Sequence, residues 1–78
     1  MRLSVEFDSS TEKVIVACDS EGLKVLSDQL DLLRRTEDHV HLMSEAWGGY
    51  DLSQRKVLES SVLVQHLEIV FLREDRDD

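Results

Sequence analysis

The chain has 78 residues, of which 17 are acidic and 9 are basic, so its formal net charge is −8 at pH 7. This balance argues against binding to nucleic acids or anionic membranes, because both reward clustered lysines and arginines. The length predicts one small domain that buries only about 60–65% of its unfolded surface, and the charge fits a soluble protein or one with a basic partner.

Cysteine content and hydropathy favour a cytoplasmic protein. Cys18 is the single cysteine, and a lone cysteine without a secretory signal is typical of a reducing compartment. Residues 1–8 alternate and carry acids, unlike an apolar signal sequence. No apolar run reaches the roughly 18 residues that span a bilayer. We therefore expect a cytoplasmic protein that does not enter a membrane.

Two short strands are predicted at the start of the chain. Leu3, Val5 and Phe7 alternate with polar residues, as in a half-buried strand. A polar cluster at residues 8–12 favours a turn, and the β-branched run at 14–18 indicates a second strand. The two strands should pair as an antiparallel hairpin.

A helix is predicted from about Ser20 to Arg35. Asp19 or Ser20 can cap its first turn, and Arg34 and Arg35 suit its last turn, where cations are favoured. Four leucines spaced three and four residues apart form the expected buried stripe: Leu23, Leu26, Leu30 and Leu33.

Two further strands complete the predicted fold, at His39–Met43 and at residues 62–72. The expectation is an α+β domain over residues 1–73, with a four-stranded antiparallel sheet, one helix packed on one face and the order β-β-α-β-β. Residues 74–78 are expected to form a charged, frayed tail. One helix covers one face of such a sheet, so the other face should remain uncovered.

The uncovered face provides one hypothesis about association. It should expose part of the second strand and three apolar residues of the last strand: Val64, Val70 and Leu72. Exposed apolar patches often mark association sites. A homodimeric structural module without a ligand, paired through this face, is therefore one alternative function.

The segment Trp47-Gly48-Gly49-Tyr50 follows the third strand directly and contains the only tryptophan and the only tyrosine. Paired glycines let such a loop approach a partner closely, and Trp and Tyr are common interface anchors. Alternatively, Trp47 fills the end of a small core and the glycines only turn the chain. Both interpretations are open at this point.

The three histidines suggest a second alternative, a metal- or small-ligand-binding regulatory domain. His39 and His41 are two residues apart on a strand, so both rings point to one face. If the last two strands pair, these rings could converge with His66 and Glu68. Because the register is unknown and a one-residue slip would separate them, no metal ligand or cofactor is predicted.

The stretch His39-Val40-His41-Leu42, followed by Trp47-Gly48-Gly49 and Leu52, resembles the immunity protein 32 family of bacterial polymorphic-toxin systems. Glu21-Gly22-Leu23, with Leu26 and Leu30, resembles the start of that family's helix. The resemblance covers about Asp19 to Leu52. It implies a small cytoplasmic α+β protein that binds and neutralises a cognate toxin.

The predicted function is therefore non-enzymatic protein binding, with a basic toxin domain as the expected class of partner. No catalytic residue is predicted, because the chain has no glycine-rich phosphate loop and no nucleophile elbow, and its carboxylates are scattered. The expected contact residues comprise anchors, acids, loop-forming glycines and neighbouring histidines: Trp47, Tyr50, Glu45, Asp51, Gly48, Gly49, His39 and His41.

Overall fold

The computed structural model describes residues 1–73, and the tail predicted at residues 74–78 lies outside the described residues. One helix and antiparallel strands confirm the α+β class. The elements are β1 (Leu3–Asp8), β2 (Lys13–Cys18), α1 (Ser20–Arg35), β3 (His39–Met43), a short 3-10 helix (Glu45–Trp47), β4 (Val62–Leu63) and β5 (His66–Val70).

The predicted hairpin is confirmed. β1 pairs antiparallel with β2 in a register that runs from Leu3 opposite Cys18 to Asp8 opposite Lys13. Asp8 stabilises the turn, because its Oδ1 accepts hydrogen bonds from the backbone N–H and the hydroxyl of Ser10 at 3.1 and 2.7 Å. The bond from the Ser10 hydroxyl is the main reason why the pKa of Asp8 lies below its ordinary value.

The prediction of one four-stranded sheet is wrong. β1 lies between β2 and β4 in a three-stranded sheet, whereas β3 and β5 form a separate two-stranded sheet. The strand predicted over residues 62–72 is divided where the chain changes partner. The Val64 N–H donates to the Val5 carbonyl at 2.7 Å, and the Gln65 carbonyl accepts from the Ser44 N–H at 2.9 Å. A single apolar run therefore serves two sheets.

The helix has the predicted bounds. Asp19 is its N-cap, and the Asp19 carboxylate accepts a hydrogen bond from the Gly22 N–H at 2.8 Å. This bond satisfies one of the backbone donors that a helix leaves free in its first turn. Arg34 and Arg35 occupy the last turn, as the sequence predicts.

The buried side of α1 differs from the predicted stripe. Of the four leucines, Leu26 and Leu33 face the core, whereas Leu23 and Leu30 are exposed. Gly22 lies so close to the strand residues that a Cβ on it would stand 1.9 Å from the Arg2 carbonyl oxygen. Gly22 therefore faces the sheet in place of Leu23. This rotation of the helix turns Leu23 and Leu30 towards solvent.

The core lies between α1 and the two sheets, since the helix contacts β1, β2 and β3. Its buried members are Leu3, Val5, Leu33, Val40, Leu42 and Leu52. Because side chains alternate along a strand, burial of Val40 and Leu42 turns the histidines of β3 away from the core. The core thus determines which face of β3 is available for binding.

The other face of β1 is covered by residues 53–61, through Glu6. The Glu6 side chain is fully buried, and its carboxylate accepts hydrogen bonds from the Val57 N–H, the Leu58 N–H and the Ser61 hydroxyl at 2.5, 3.1 and 2.5 Å. The Ser61 bond is the main cause that holds the pKa of Glu6 below its ordinary value. The carboxylate therefore fixes this long loop to the sheet.

The exposed apolar surface lies partly where the sequence predicts. Val70 and Leu72 are exposed, but the prediction for Val64 is wrong, because Val64 packs against the core. The three-stranded sheet exposes four apolar side chains: Phe7, Val14, Val16 and Val62. By register they share the face of Val5, so this patch continues the core face of the sheet beyond the helix.

Candidate functional site

The outer face of the two-stranded sheet carries all three histidines of the chain. β3 and β5 pair antiparallel, which places His41 opposite Glu68 and Met43 opposite His66. His39 is two residues from His41 and shares its face. The convergence of the three histidines with Glu68, which the sequence left dependent on register, is therefore confirmed.

Four rings form a continuous row across this face and into the next loop. The ring centroids are 5.1 Å apart for His39 and His41, 4.9 Å for His41 and His66, and 5.9 Å for His66 and Trp47. We call these four residues the ring row. Nδ1 of His41 and Nε2 of His66 are 2.7 Å apart, so one ring donates a hydrogen bond to the other.

Carboxylates flank the ring row. Asp38 contacts Nδ1 of His39 at 2.8 Å, and this hydrogen bond is the main reason why the pKa of His39 lies above its ordinary value of 6.5. Glu68 lies beside His41, with 3.9 Å between the carboxylate and Nε2. The row therefore combines imidazole nitrogens with negative charge on an exposed surface.

The segment after β3 is a loop with a closed base. Ser44 and Leu52 form an isolated β-bridge, and the Leu52 N–H donates to the Met43 carbonyl at 3.2 Å. Both Ser44 and Leu52 are buried. Residues 45–51, which we call the closed loop, therefore leave and re-enter the fold at adjacent points, as compact surface loops do.

Gln65 ties the base of the closed loop to β5. Its backbone carbonyl accepts from the Ser44 N–H at 2.9 Å, and its side-chain Oε1 accepts from the Ser44 hydroxyl and, at 3.0 Å, from the amide of Gln54. These bonds hold both sides of the loop in place. The closed loop is thus presented by a rigid support, an arrangement that often serves recognition.

Each glycine of the loop has a separate role. Gly48 ends the 3-10 helix with a φ of 85°, a conformation that glycine adopts without strain. Gly49 packs against β3, where a Cβ would stand 2.5 Å from the Met43 carbonyl oxygen. Gly48 therefore reverses the chain, and Gly49 allows the chain to return close to β3. Both glycines serve to turn the loop, as the sequence predicts.

The aromatic residues of the closed loop are exposed. Trp47 keeps 60% of its surface accessible and Tyr50 keeps 83%. The interpretation of Trp47 as a core plug is therefore wrong, and Leu52, just after this loop, belongs to the buried core instead. Glu45 is also exposed, whereas Asp51 is half-buried and donates its backbone N–H to the Met43 carbonyl at 3.0 Å.

A shallow groove of about 310 Å³ runs along one side of the closed loop. It is lined by Met1, Glu45, Tyr50, Leu52, Ser53 and Gln54. Its lining includes one acidic and one aromatic residue, Glu45 and Tyr50, which suits a side chain with an apolar stem and a positive end.

The structure brings predicted contact residues together in two groups. His39, His41 and Trp47 lie in the ring row, and Glu45 and Tyr50 line the groove. The sequence pattern suggests His66 and Glu68 only for the metal alternative. His66 links the histidines of β3 to Trp47 in the ring row. The signal that could have found it is the register of β3 against β5, which local patterning does not contain.

Within residues 1–73, no helix is long and apolar enough to cross a membrane.

Comparisons with known proteins identify the family. No curated protein and no solved structure matches the chain. A family model described as immunity protein 32 matches residues 13–68, which is more than half of the sequence and includes the ring row and the closed loop. The chain therefore belongs to the immunity protein 32 family.

Proposed function

We propose that this chain is an immunity protein, a non-enzymatic cytoplasmic protein that binds a cognate bacterial toxin and neutralises it. Family membership supports this role. The binding surface that we assign to it comprises the closed loop and the ring row. Neutralisation follows from occupation of the toxin surface and needs no chemical step by the immunity protein.

The observation that carries the proposal is the exposure of Trp47 and Tyr50 on a loop with a fixed base. It is costly in free energy to leave a large aromatic side chain in water. Only 5% of the residues of this chain are aromatic, so leaving two of them outside the core needs an explanation. Such residues, held rigidly, lose little entropy on binding and are frequent hot spots of interfaces. A protein partner that buries both rings explains why they are outside the core.

Charge supports a basic partner. The formal net charge of the chain is −8, and Glu45, Asp51 and Glu68 lie within or beside the proposed surface. An acidic protein is steered towards a positively charged partner and associates with it faster. A basic toxin domain is therefore the partner class that we propose.

Binding measurements with a Trp47→Ala variant test the proposal. The partner to be tested is the toxin domain of any toxin-like reading frame found next to this gene, produced in an inactive form. A hot-spot anchor contributes about 2 kcal/mol or more, so we expect affinity to fall about 30-fold. The free energy of unfolding should stay close to that of the unmodified chain, because Trp47 is exposed.

Leu30→Ala is the matched control, since it also removes an exposed apolar side chain, but on the helix. It should leave the affinity unchanged. Protection of cells that express the active toxin should follow the same order of variants. Equal affinities of the Trp47 variant and the unmodified chain would reject the assigned surface, and no binding by the unmodified chain would reject this toxin as the partner.

A homodimer is the second candidate and rests on the apolar patch of Phe7, Val14, Val16 and Val62. We propose that a second copy covers it. A two-fold arrangement in which the sheets of two copies pack face to face would bury the patch against itself. This surface is separate from the ring row, so both proposals can hold together.

A further inference from the structure

We infer that the outer face of the two-stranded sheet binds one divalent transition-metal ion, with zinc as the reference ion. The proposed ligands are His39, His41 and Glu68, each of which has a ligand atom within 4.8 Å of the others. This inference is independent of the toxin proposal, because its test requires no partner.

The hydrogen bonds of the two histidines are compatible with the tautomer that a metal requires. Nδ1 of His39 donates to the Asp38 carboxylate at 2.8 Å, which leaves the lone pair of its Nε2 free. Nδ1 of His41 faces Nε2 of His66 at 2.7 Å. When His41 donates this bond, its own Nε2 keeps a lone pair on the side of Glu68. Metal-binding histidines commonly have such an acceptor on their second nitrogen.

The distances require only small side-chain movements. Zinc lies about 2.0–2.2 Å from nitrogen and oxygen ligands, so ligand atoms in a tetrahedral site are about 3.3–3.6 Å apart. Nε2 of His41 and the Glu68 carboxylate are already within 3.9 Å. All three ligand residues are exposed, so side-chain movements of about an ångström can bring their ligand atoms together.

The ligand types select the class of metal. Imidazole with one carboxylate suits zinc and its neighbours in the first transition row, whereas magnesium and calcium prefer oxygen ligands. Three protein ligands leave the fourth position of a tetrahedral ion open. A water molecule or a side chain of a partner can occupy this position, since the site is on the surface.

Calorimetric titration of the full chain with zinc chloride tests the inference. We expect one zinc ion per chain and no binding of magnesium. His39→Asn, His41→Asn and Glu68→Gln should each weaken zinc binding by about tenfold or more. His66→Asn should weaken binding less than His41→Asn, because it removes only the acceptor of the His41 hydrogen bond.

Two control variants separate this site from other zinc-binding groups. Glu12→Gln removes the same charge as Glu68→Gln, but in the β1–β2 turn, and Cys18→Ser removes the exposed thiol. Both should bind zinc as the unmodified chain does. Absence of binding by the unmodified chain, full binding by His41→Asn, or loss of binding by Cys18→Ser would each overturn the proposal.

Nitrogen chemical shifts give a second measurement. In a long-range proton–nitrogen spectrum of the imidazoles, zinc should shift Nε2 of His39 and His41 while their Nδ1 atoms remain protonated. Zinc-induced changes at Nδ1 of both rings would contradict the proposed ligand atoms. Circular dichroism of each variant without metal checks that the fold is retained.

Discussion

At the scale of single residues, Glu6 is the side chain whose environment differs most from its sequence pattern. It alternates with apolar residues in β1, as a solvent-facing residue does, yet it is fully buried. Burial of a carboxylate is costly unless its oxygens accept hydrogen bonds. Three donors from residues 57–61 meet this requirement, so Glu6 connects two segments that are remote in sequence.

The pH dependence of stability should report on Glu6. The pKa of Glu6 in the folded chain lies below the ordinary 4.5, so its charged form stabilises the fold above that pH. This stabilisation is lost as the pH falls through the folded-state pKa. Glu6→Gln should therefore lower the free energy of unfolding at neutral pH and make its fall below pH 4.5 less steep.

Urea unfolding of Glu6→Gln and the unmodified chain across this pH range measures both effects. Glu12→Gln is the control, since Glu12 is exposed in the turn. Parallel stability curves for Glu6→Gln and the unmodified chain would contradict the role of the Glu6 charge. The sequence could not predict this role, because residues 53–61 have no periodic pattern that would place them over β1.

At the scale of elements, the helix shows which structural properties are determined by residues close in sequence and which are not. Its bounds were predictable because the Asp19 cap and the terminal arginines act within one turn. Its rotation was not predictable from periodicity, because the leucine spacing fits two neighbouring stripes. The choice between them depends on the close contact of Gly22 with the Arg2 backbone, which is a tertiary contact.

Leucine truncations on α1 should separate the two sides of the helix. Leu33→Ala removes a buried side chain of the core and should lower the free energy of unfolding by about 2–5 kcal/mol. Leu30→Ala removes an exposed side chain and should cost less than about 0.5 kcal/mol. Thermal or urea unfolding measures the difference, and equal losses for the two variants would show that the helix faces are wrongly assigned.

At the scale of the whole molecule, the division into two sheets determined how much of the site was predictable. Local alternation was enough to place His39 and His41 on one face, and the Trp47-Gly48-Gly49-Tyr50 segment indicated a loop. The contribution of His66 depends on the partner change at Gln65, where residues distant in sequence pair. No local pattern encodes that change, so the place of His66 in the ring row could not be predicted from the sequence.

Sedimentation over a range of concentrations tests association of the whole molecule. If a second copy covers the patch beside β2, the apparent mass should rise with concentration. Val14→Lys should hold the chain as a monomer, since it places a charge in the apolar patch that a second copy would bury. Val70→Lys, an equally exposed position on the other sheet, should not. A monomer at every concentration would reject the homodimer.

β1 is the central strand of its sheet, and the order in which the chain is synthesised determines when each of its neighbours becomes available. The donors to Glu6 lie 51–55 residues after it, and β4, the second neighbour of β1, comes later still. β1 can therefore pair with β2 soon after both are made, but its second neighbour and the donors to Glu6 follow only 51 or more residues after Glu6. Until those residues are made, the Glu6 carboxylate and one edge of β1 have no native partner, so the three-stranded sheet cannot be completed before residue 63 is synthesised.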